Sequence, residues 1–342
     1  MSYNKKAIAI IGILLVLVVV SGCEGGNIFG KKQDKRPITD AEVRKGTDGL
    51  DMEFIKNAPP ENVFEGSQDK GGEVIPSAFP VSLRLKNKGA SDIEDAFLVF
   101  GFEKSYVDIT GGDERCAGEL CTGIDIKGKS IYSPVGDEDF IKVNAGAKKI
   151  GAQSETHPST IFATACYPYN TTLGTSVCID TDIIDEVKGK KACNVKDLTF
   201  SEGQGAPVAI TKIETRMLPQ DDNKVKPHFI IFIENKGNGE VVDSDKLDAA
   251  CSSSGLEYTD FNTLTITASL PQGDLKCSED PTEPPGPTAV RLREKEDIVR
   301  CTLEDGVDIG RDAYTAPLKI ELNYGYTFTI SKDIIIEKVL KY

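Results

Sequence analysis

Gly123-Ile124-Asp125-Ile126-Lys127-Gly128-Lys129-Ser130 satisfies G-x-x-x-x-G-K-[ST], which cradles phosphate when a buried strand precedes it and a helix opens at Lys-Ser. Here Tyr132-Ser133-Pro134-Val135-Gly136 comes next, and the proline stops any helix within a turn, so the segment reads as a polar strand and turn. Histidine offers as little. The chain holds two, His157 and His228, each beside a proline and without an acid placed to orient a general base; His228 reads as a satisfied edge residue. Carboxylates gather at Asp180, Asp182, Asp185 and Glu186, and again at Glu304, Asp305, Asp308 and Asp312. Neither run has the fixed spacing of a calcium loop, and solvated acid is the simpler reading. No catalytic residue, metal site or cofactor is expected.

Two features are chemical in another sense. Asn170-Thr171-Thr172 is an N-glycosylation sequon, which makes Asn170 a candidate acceptor. Cys23 ends the uncharged span that holds the hydrophobic run Ala7 to Val20, which is short for a bilayer span and right for a signal h-region preceded by Lys5 and Lys6. Val20-Ser21-Gly22-Cys23 resembles a lipobox, with acylated Cys23 as the mature N-terminus. Two alternatives stay open. The run with a slight extension is a thin signal anchor, or Lys5-Lys6-Ala7 before Ile8 resembles the processing site of archaeal pilin-like proteins, although Gly12 stands where a pilin carries an acid. All three place the rest of the chain outside the cytoplasm; the expected partner of the N-terminus is the membrane, or a filament core in the pilin-like case.

The elements that carry these residues are strands. The chain has 342 residues, 39% of them hydrophobic and 27% charged, a folding composition. Its net charge of −14 argues against a nucleic-acid partner, which requires clustered Lys and Arg. Residues 24–46 lack periodicity and read as a tether, and its Lys31-to-Arg36 stretch suits anionic headgroups. Strict alternation begins at Leu50-Asp51-Met52-Glu53-Phe54 and recurs through most of the remaining chain, with short helical turns at 183–187 and 245–250.

The chain also repeats itself. Val81 to Gly89 matches Phe229 to Gly237, 148 residues later; in each copy an apolar alternation runs into Asn-Lys-Gly, a tight turn suited to positive φ. Cys166-Tyr167-Pro168-Tyr169 matches Asn323-Tyr324-Gly325-Tyr326 at an offset of 157. Each reads as one arm of a closing hairpin, with Asn170 at the tip of the first. Two copies of about seven strands predict an all-β fold: two tandem immunoglobulin-like sandwiches at 47–203 and 204–342, after the signal or anchor helix at 1–23 and the tether.

The Asn-Lys-Gly strand ends, the opening Gly49 to Phe54 with Asn57-Ala58-Pro59-Pro60, and the paired tyrosines resemble CARDB and related immunoglobulin-like domains of prokaryotic, especially archaeal, surface proteins. The resemblance implies adhesion, spacing and assembly, with no catalytic residues to carry over. The expected function is a non-enzymatic, structural or adhesive surface role, with other surface or envelope proteins or polymers as partners and the oligomeric state open. The alternatives are a filament subunit and a ligand- or metal-binding lipoprotein with a pocket between the sandwiches.

Eight further cysteines, Cys116, Cys121, Cys166, Cys178, Cys193, Cys251, Cys277 and Cys301, include no C-x-x-C pair and read as disulfides of an oxidising compartment. A boundary near residue 204 leaves five in the first half and three in the second, so full oxidation needs a bridge between halves. Cys193 is expected to make it, with Cys251, Cys277 or Cys301. Cys166 is expected to pair with Cys178 across one hairpin, and Cys116 with Cys121 around a short loop.

Overall fold

The computed structural model describes residues 39–339 apart from 70, 183–189, 222, 253–254, 279, 281 and 311. The hydrophobic run, Cys23, the tether up to residue 38 and the helical turn expected at 183–187 lie outside the described residues. Among the described residues no helix is long and apolar enough to cross a membrane.

Order begins earlier than the tether reading allows. Thr39 caps the short helix α1 (Asp40–Val43), and Thr39 and Glu42 satisfy each other's backbone N–H groups in a capping box. Val43 is buried, and Gly46 exchanges backbone hydrogen bonds with Glu202 and Gly205.

The first copy comprises β1 (Leu50–Phe54), β2 (Asn62–Phe64), β3 (Ser77–Asn87), β4 (Ile93–Gly101), β5 (Val107–Gly112), β6 (Leu120–Ile126), β7 (Glu138–Ala147) and β8 (Thr156–Asp180). Four of these form an outer sheet in the order β1-β3-β7-β5. The second copy comprises β9 (Val208–Asp221), β10 (Lys224–Asn235), β11 (Glu240–Val242), β12 (Thr263–Leu270), β13 (Glu296–Thr302) and β14 (Ala313–Glu337). Its outer sheet is built on β9-β10-β13. In β10 every second side chain is buried from Val225 to Asn235, the period-2 signature of a strand with one wet face.

The all-β expectation holds, but the sandwiches are fused. Each copy contributes half of one ten-stranded sheet, whose spine is β12-β14-β8-β4-β6. The two expected hairpins do not exist: β8 and β14 are single strands of 25 residues, antiparallel to each other along their whole length. Pro168 faces Gly325, Tyr167 faces Tyr326 and Tyr169 faces Tyr324. Because the repeat equates Tyr167 with Tyr324 and Tyr169 with Tyr326, the ladder has a local two-fold at Pro168–Gly325, as in an isologous dimer interface. β2 also crosses between copies, lying parallel to Ile335–Glu337 of β14. One apolar core runs through both copies, from Leu83 and Ile141 through the tyrosines to Ile231 and Ile266.

The tyrosine hydroxyls explain the repeat. Tyr169 accepts a hydrogen bond from Ser91 N–H (3.4 Å) and donates to Asn87 Oδ1 (3.2 Å); Tyr326 accepts from Gly239 N–H (2.8 Å) and donates to Asn235 Oδ1 (3.3 Å). Tyr167 accepts from Leu50 N–H (3.1 Å) and Tyr324 from Val208 N–H (3.3 Å), where the strands β1 and β9 begin. The Asn-Lys-Gly and tyrosine motifs are therefore two sides of one buried contact. Gly89 and Gly237 do not take positive φ, contrary to the turn expectation. They are glycine because a Cβ would collide with the Tyr169 and Tyr326 hydroxyls.

This contact can be probed by packing and by pH. Gly89→Ala and Gly237→Ala overpack it and should each cost about 1–3 kcal/mol in urea denaturation, whereas Gly174→Ala, whose Cβ meets nothing within 4 Å, should not destabilise. Equal effects at all three would refute the steric reading. Burial raises all four tyrosine pKa values, with Tyr326 pushed up to about 12. A folded pKa above the unfolded value near 10 leaves this stability intact below about pH 10 and removes it as pH rises toward 12. Tyrosinate absorbance should therefore rise together with unfolding; ionisation of all the tyrosines in a still-folded protein would contradict this.

Candidate binding surface

The local two-fold is broken at its centre. In the first copy β4 runs unbroken beside β8, with Phe97 opposite Cys166. In the second copy the corresponding strand is split into β11 and β12, both paired to β14, and residues 243–262 are inserted between them. The insertion holds a 3-10 turn at Ser244–Lys246, helix α2 (Leu247–Cys251) and a second turn at Tyr258–Asp260. The expected helical turn at 245–250 is part of it. Leu247 and Cys251 bury themselves with Val242 and Cys166, against Phe97, Val99 and Phe261, in a small cluster separate from the main core. Gly325 leaves room for this: a Cβ there would lie 2.8 Å from Leu247 and Val242.

The disulfides complete the arrangement and correct the expected pairing. The bridges are Cys116–Cys121, Cys166–Cys251, Cys178–Cys193 and Cys277–Cys301. Cys166 cannot reach Cys178, because twelve residues of one extended strand span about 40 Å. One bridge does join the halves, but it is Cys166–Cys251. Cys193 instead folds back on Cys178, where Lys191 pairs with Asp180 at 2.8 Å and lies 3.8 Å from Asp182. Asp182 is thus buried and Asp180 half-buried, both beside one lysine rather than freely solvated; Asp185 and Glu186 lie outside the described residues.

The fastened insertion presents an aromatic ring to solvent, and a half-buried arginine of the neighbouring strand 288–291 packs on it. Tyr258 is 82% exposed, the Arg291 guanidinium lies 4.1 Å from its ring centroid, and Arg291 Nη2 donates to the Tyr258 carbonyl at 2.6 Å. A cleft of about 400 Å³ beside it is lined by Glu240, Tyr258, Phe261, Asn262, Glu294 and Lys295, among others. Neither residue was singled out by sequence reading; the available signal was the extra length of the second copy around a lone cysteine. Two further clefts flank α1. One, of about 650 Å³, lies where the copies meet and includes Arg44, Lys45, Leu173, Phe200 and Lys319; the other, of about 620 Å³, includes Asp92, Lys129, Tyr132 and Asn170.

The remaining candidates scatter. Asn170 is exposed in mid-strand on β8 rather than at a hairpin tip. In the phosphate-loop lookalike no helix comes after the lysine, Gly128 N–H donates to Asp92 Oδ1 (2.8 Å), and Lys127 is held by Asp92 (3.0 Å) and Glu94 (3.2 Å), so acid occupies the place of an anion. His157 pairs with Glu103 at 2.9 Å and stacks on Tyr106. His228 is not satisfied as expected: its buried Nδ1 has no hydrogen-bond partner among the described residues, and burial together with Arg300, Arg216 and Lys226 holds it below the usual imidazole range. Glu304 pairs with Lys226, and Asp305 accepts from Lys224 through its carbonyl.

The bridge between the copies is open to test. Cys166→Ser with Cys251→Ser should lower stability by about 2–4 kcal/mol and raise hydrogen exchange across 243–262 while the tyrosine ladder stays protected. Unchanged exchange in the insertion would show that packing alone holds it.

No family model matches the chain, and no curated protein is similar to it. Among solved structures it is similar to a red sea bream transglutaminase (7% identity, TM-score 0.19, 86% of this chain and 32% of that one). It is also similar to the CupB6 tip adhesin from Pseudomonas aeruginosa (11%, 0.21, 86% and 98%) and the secreted serine protease VesC from Vibrio cholerae (8%, 0.20, 85% and 52%). At such TM-scores these likenesses carry no argument, and the chain is described by its own geometry: a disulfide-rich, all-β double unit.

Proposed function

We propose that this is a non-enzymatic, membrane-anchored protein of the extracytoplasmic surface that binds a neighbouring surface protein or envelope polymer through the insertion of its second copy. The observation that carries the reading is the exposed Tyr258, on the insertion tied covalently to the other copy through Cys166–Cys251, with the half-buried Arg291 of the neighbouring strand 288–291 against its ring. Tyrosine and arginine dominate binding energy at interfaces, and a surface held rigid in advance loses little freedom on binding. Four disulfides support an oxidising, extracytoplasmic location. The hydrophobic run with Cys23 supports the anchor. Tyrosine hydroxyls turned back on upstream backbone support the immunoglobulin-like, CARDB-type reading.

A second reading rests on the cleft of about 650 Å³ between α1 and the junction of the copies, a size suited to a small ligand. The two separate cleanly. Full-length protein immobilised on beads should retain envelope fragments of its own cells saturably, with Tyr258→Ala and Arg291→Ala each weakening retention about tenfold at unchanged melting temperature. Undiminished retention by both variants would overturn the adhesive reading. A small molecule that raises the melting temperature of the wild type but not of Arg44→Ala would establish the second.

A further inference from the structure

We infer that Asn170 carries an N-linked glycan and that the cleft beside it, bounded by α1 and the loop bearing Tyr132, seats the first sugars of that glycan. The inference rests on the extracytoplasmic placement proposed above.

The sequon lies in a strand whose side chains alternate. Thr171 is buried, and its hydroxyl donates to the Val208 carbonyl at 2.6 Å. Asn170 and Thr172 share the opposite face, Asn170 exposed and Thr172 half-buried, so the acceptor amide and the hydroxyl that a glycosyltransferase reads lie on the same side of the strand. Among the described residues the Asn170 amide has no hydrogen-bond partner. Its repeat counterpart, Thr327, lies opposite Glu240 of β11. The first copy leaves open what the second covers with its own chain.

Asn170 and Thr172 open onto the cleft of about 620 Å³, together with Asp40, Arg44, Asp92 and Tyr132. Tyr132 is 91% exposed, yet an ordered turn presents it: Ser133 N–H donates to Ser130 Oγ and Ser130 N–H to the Ser133 carbonyl, both at 2.9 Å. An aromatic ring left in water beside carboxylates, a guanidinium and an amide matches the two-sided chemistry of a sugar. The C–H face of the sugar packs on the ring, and its hydroxyls bond the polar rim.

The modification balances without an oxidant. Asn170 Nδ2 forms a bond to C1 of a sugar carried on a lipid-linked phosphate; the C1–O bond breaks, its electron pair leaves on the phosphate, and one amide proton is released.

Protein from its native membrane, reduced and digested with trypsin, should yield the 150–188 peptide with a glycan mass on Asn170. Thr172→Ala should abolish the modification and Thr172→Ser should keep it. Hydrogen exchange at 40–44 and 129–135 should be slower in the glycosylated protein than in Thr172→Ala, and Tyr132→Ala should erase that difference while the glycan remains. Surface labelling of intact cells reads the placement independently. An unmodified Asn170 in a surface-labelled protein overturns the inference and leaves the surface reading standing; an unmodified Asn170 in a protein that labelling finds inside the cell overturns both. A modified Asn170 with the same exchange in all forms overturns the seating of the glycan.

Discussion

Four buried tyrosine hydroxyls hold the molecule together. Backbone N–H groups at the starts of β1 and β9 and after the turns that end β3 and β10 point into a dry interior, where an unpaired donor costs about 1–3 kcal/mol. Each finds its acceptor on a ring from β8 or β14. The rings pack against one another with centroids 5.6 to 6.3 Å apart, so satisfying the turns of either copy also brings the two long strands into register. The glycines of both turns, the continuous core and the ten-stranded sheet all depend on that requirement.

The function proposed for the chain comes from where its symmetry fails. Near the two-fold, Gly325 admits Val242 and Leu247, while its partner Pro168 has no N–H to offer a neighbouring strand. The second copy can therefore carry an insertion across the outer face of the shared sheet, and Cys251 can fasten it to Cys166 of the first. On the other side of the centre the outer face stays open at Asn170. A scaffold that repeats in its core and diverges at its surface keeps its stability in the common part and displays distinct chemistry on each side.

Much of this was legible along the chain, though in pieces. The Asn-Lys-Gly and tyrosine repeats were visible as separate motifs, and nothing in either reveals that one hydrogen-bonds the other across 82 residues in the first copy and 91 in the second. The polar run from Asn170 to Ser176 reads as a loop, because asparagine, glycine and serine favour turns. In the folded protein the same residues lie opposite Pro317 to Asn323, which supply the pairing that propensity does not. That misreading propagated: a hairpin would have set Cys166 beside Cys178, and one straight strand sets them apart. Tyr258 and Arg291 are 33 residues apart and belong to different elements, so no spacing rule could have joined them.

By itself the sequence determined what is periodic or additive: strands throughout, two copies, an even set of cysteines and the need for at least one bridge between halves. The tertiary structure decided how the copies join, which cysteines meet and which faces stay exposed. The difference is physical. Alternation of apolar and polar side chains records which face of a strand is buried, a property of each residue's own surroundings, whereas the partner along a strand's edge is chosen by backbone groups that every residue carries alike. Only the complete packing, with its tyrosine rings and the space above Gly325, selects among those partners.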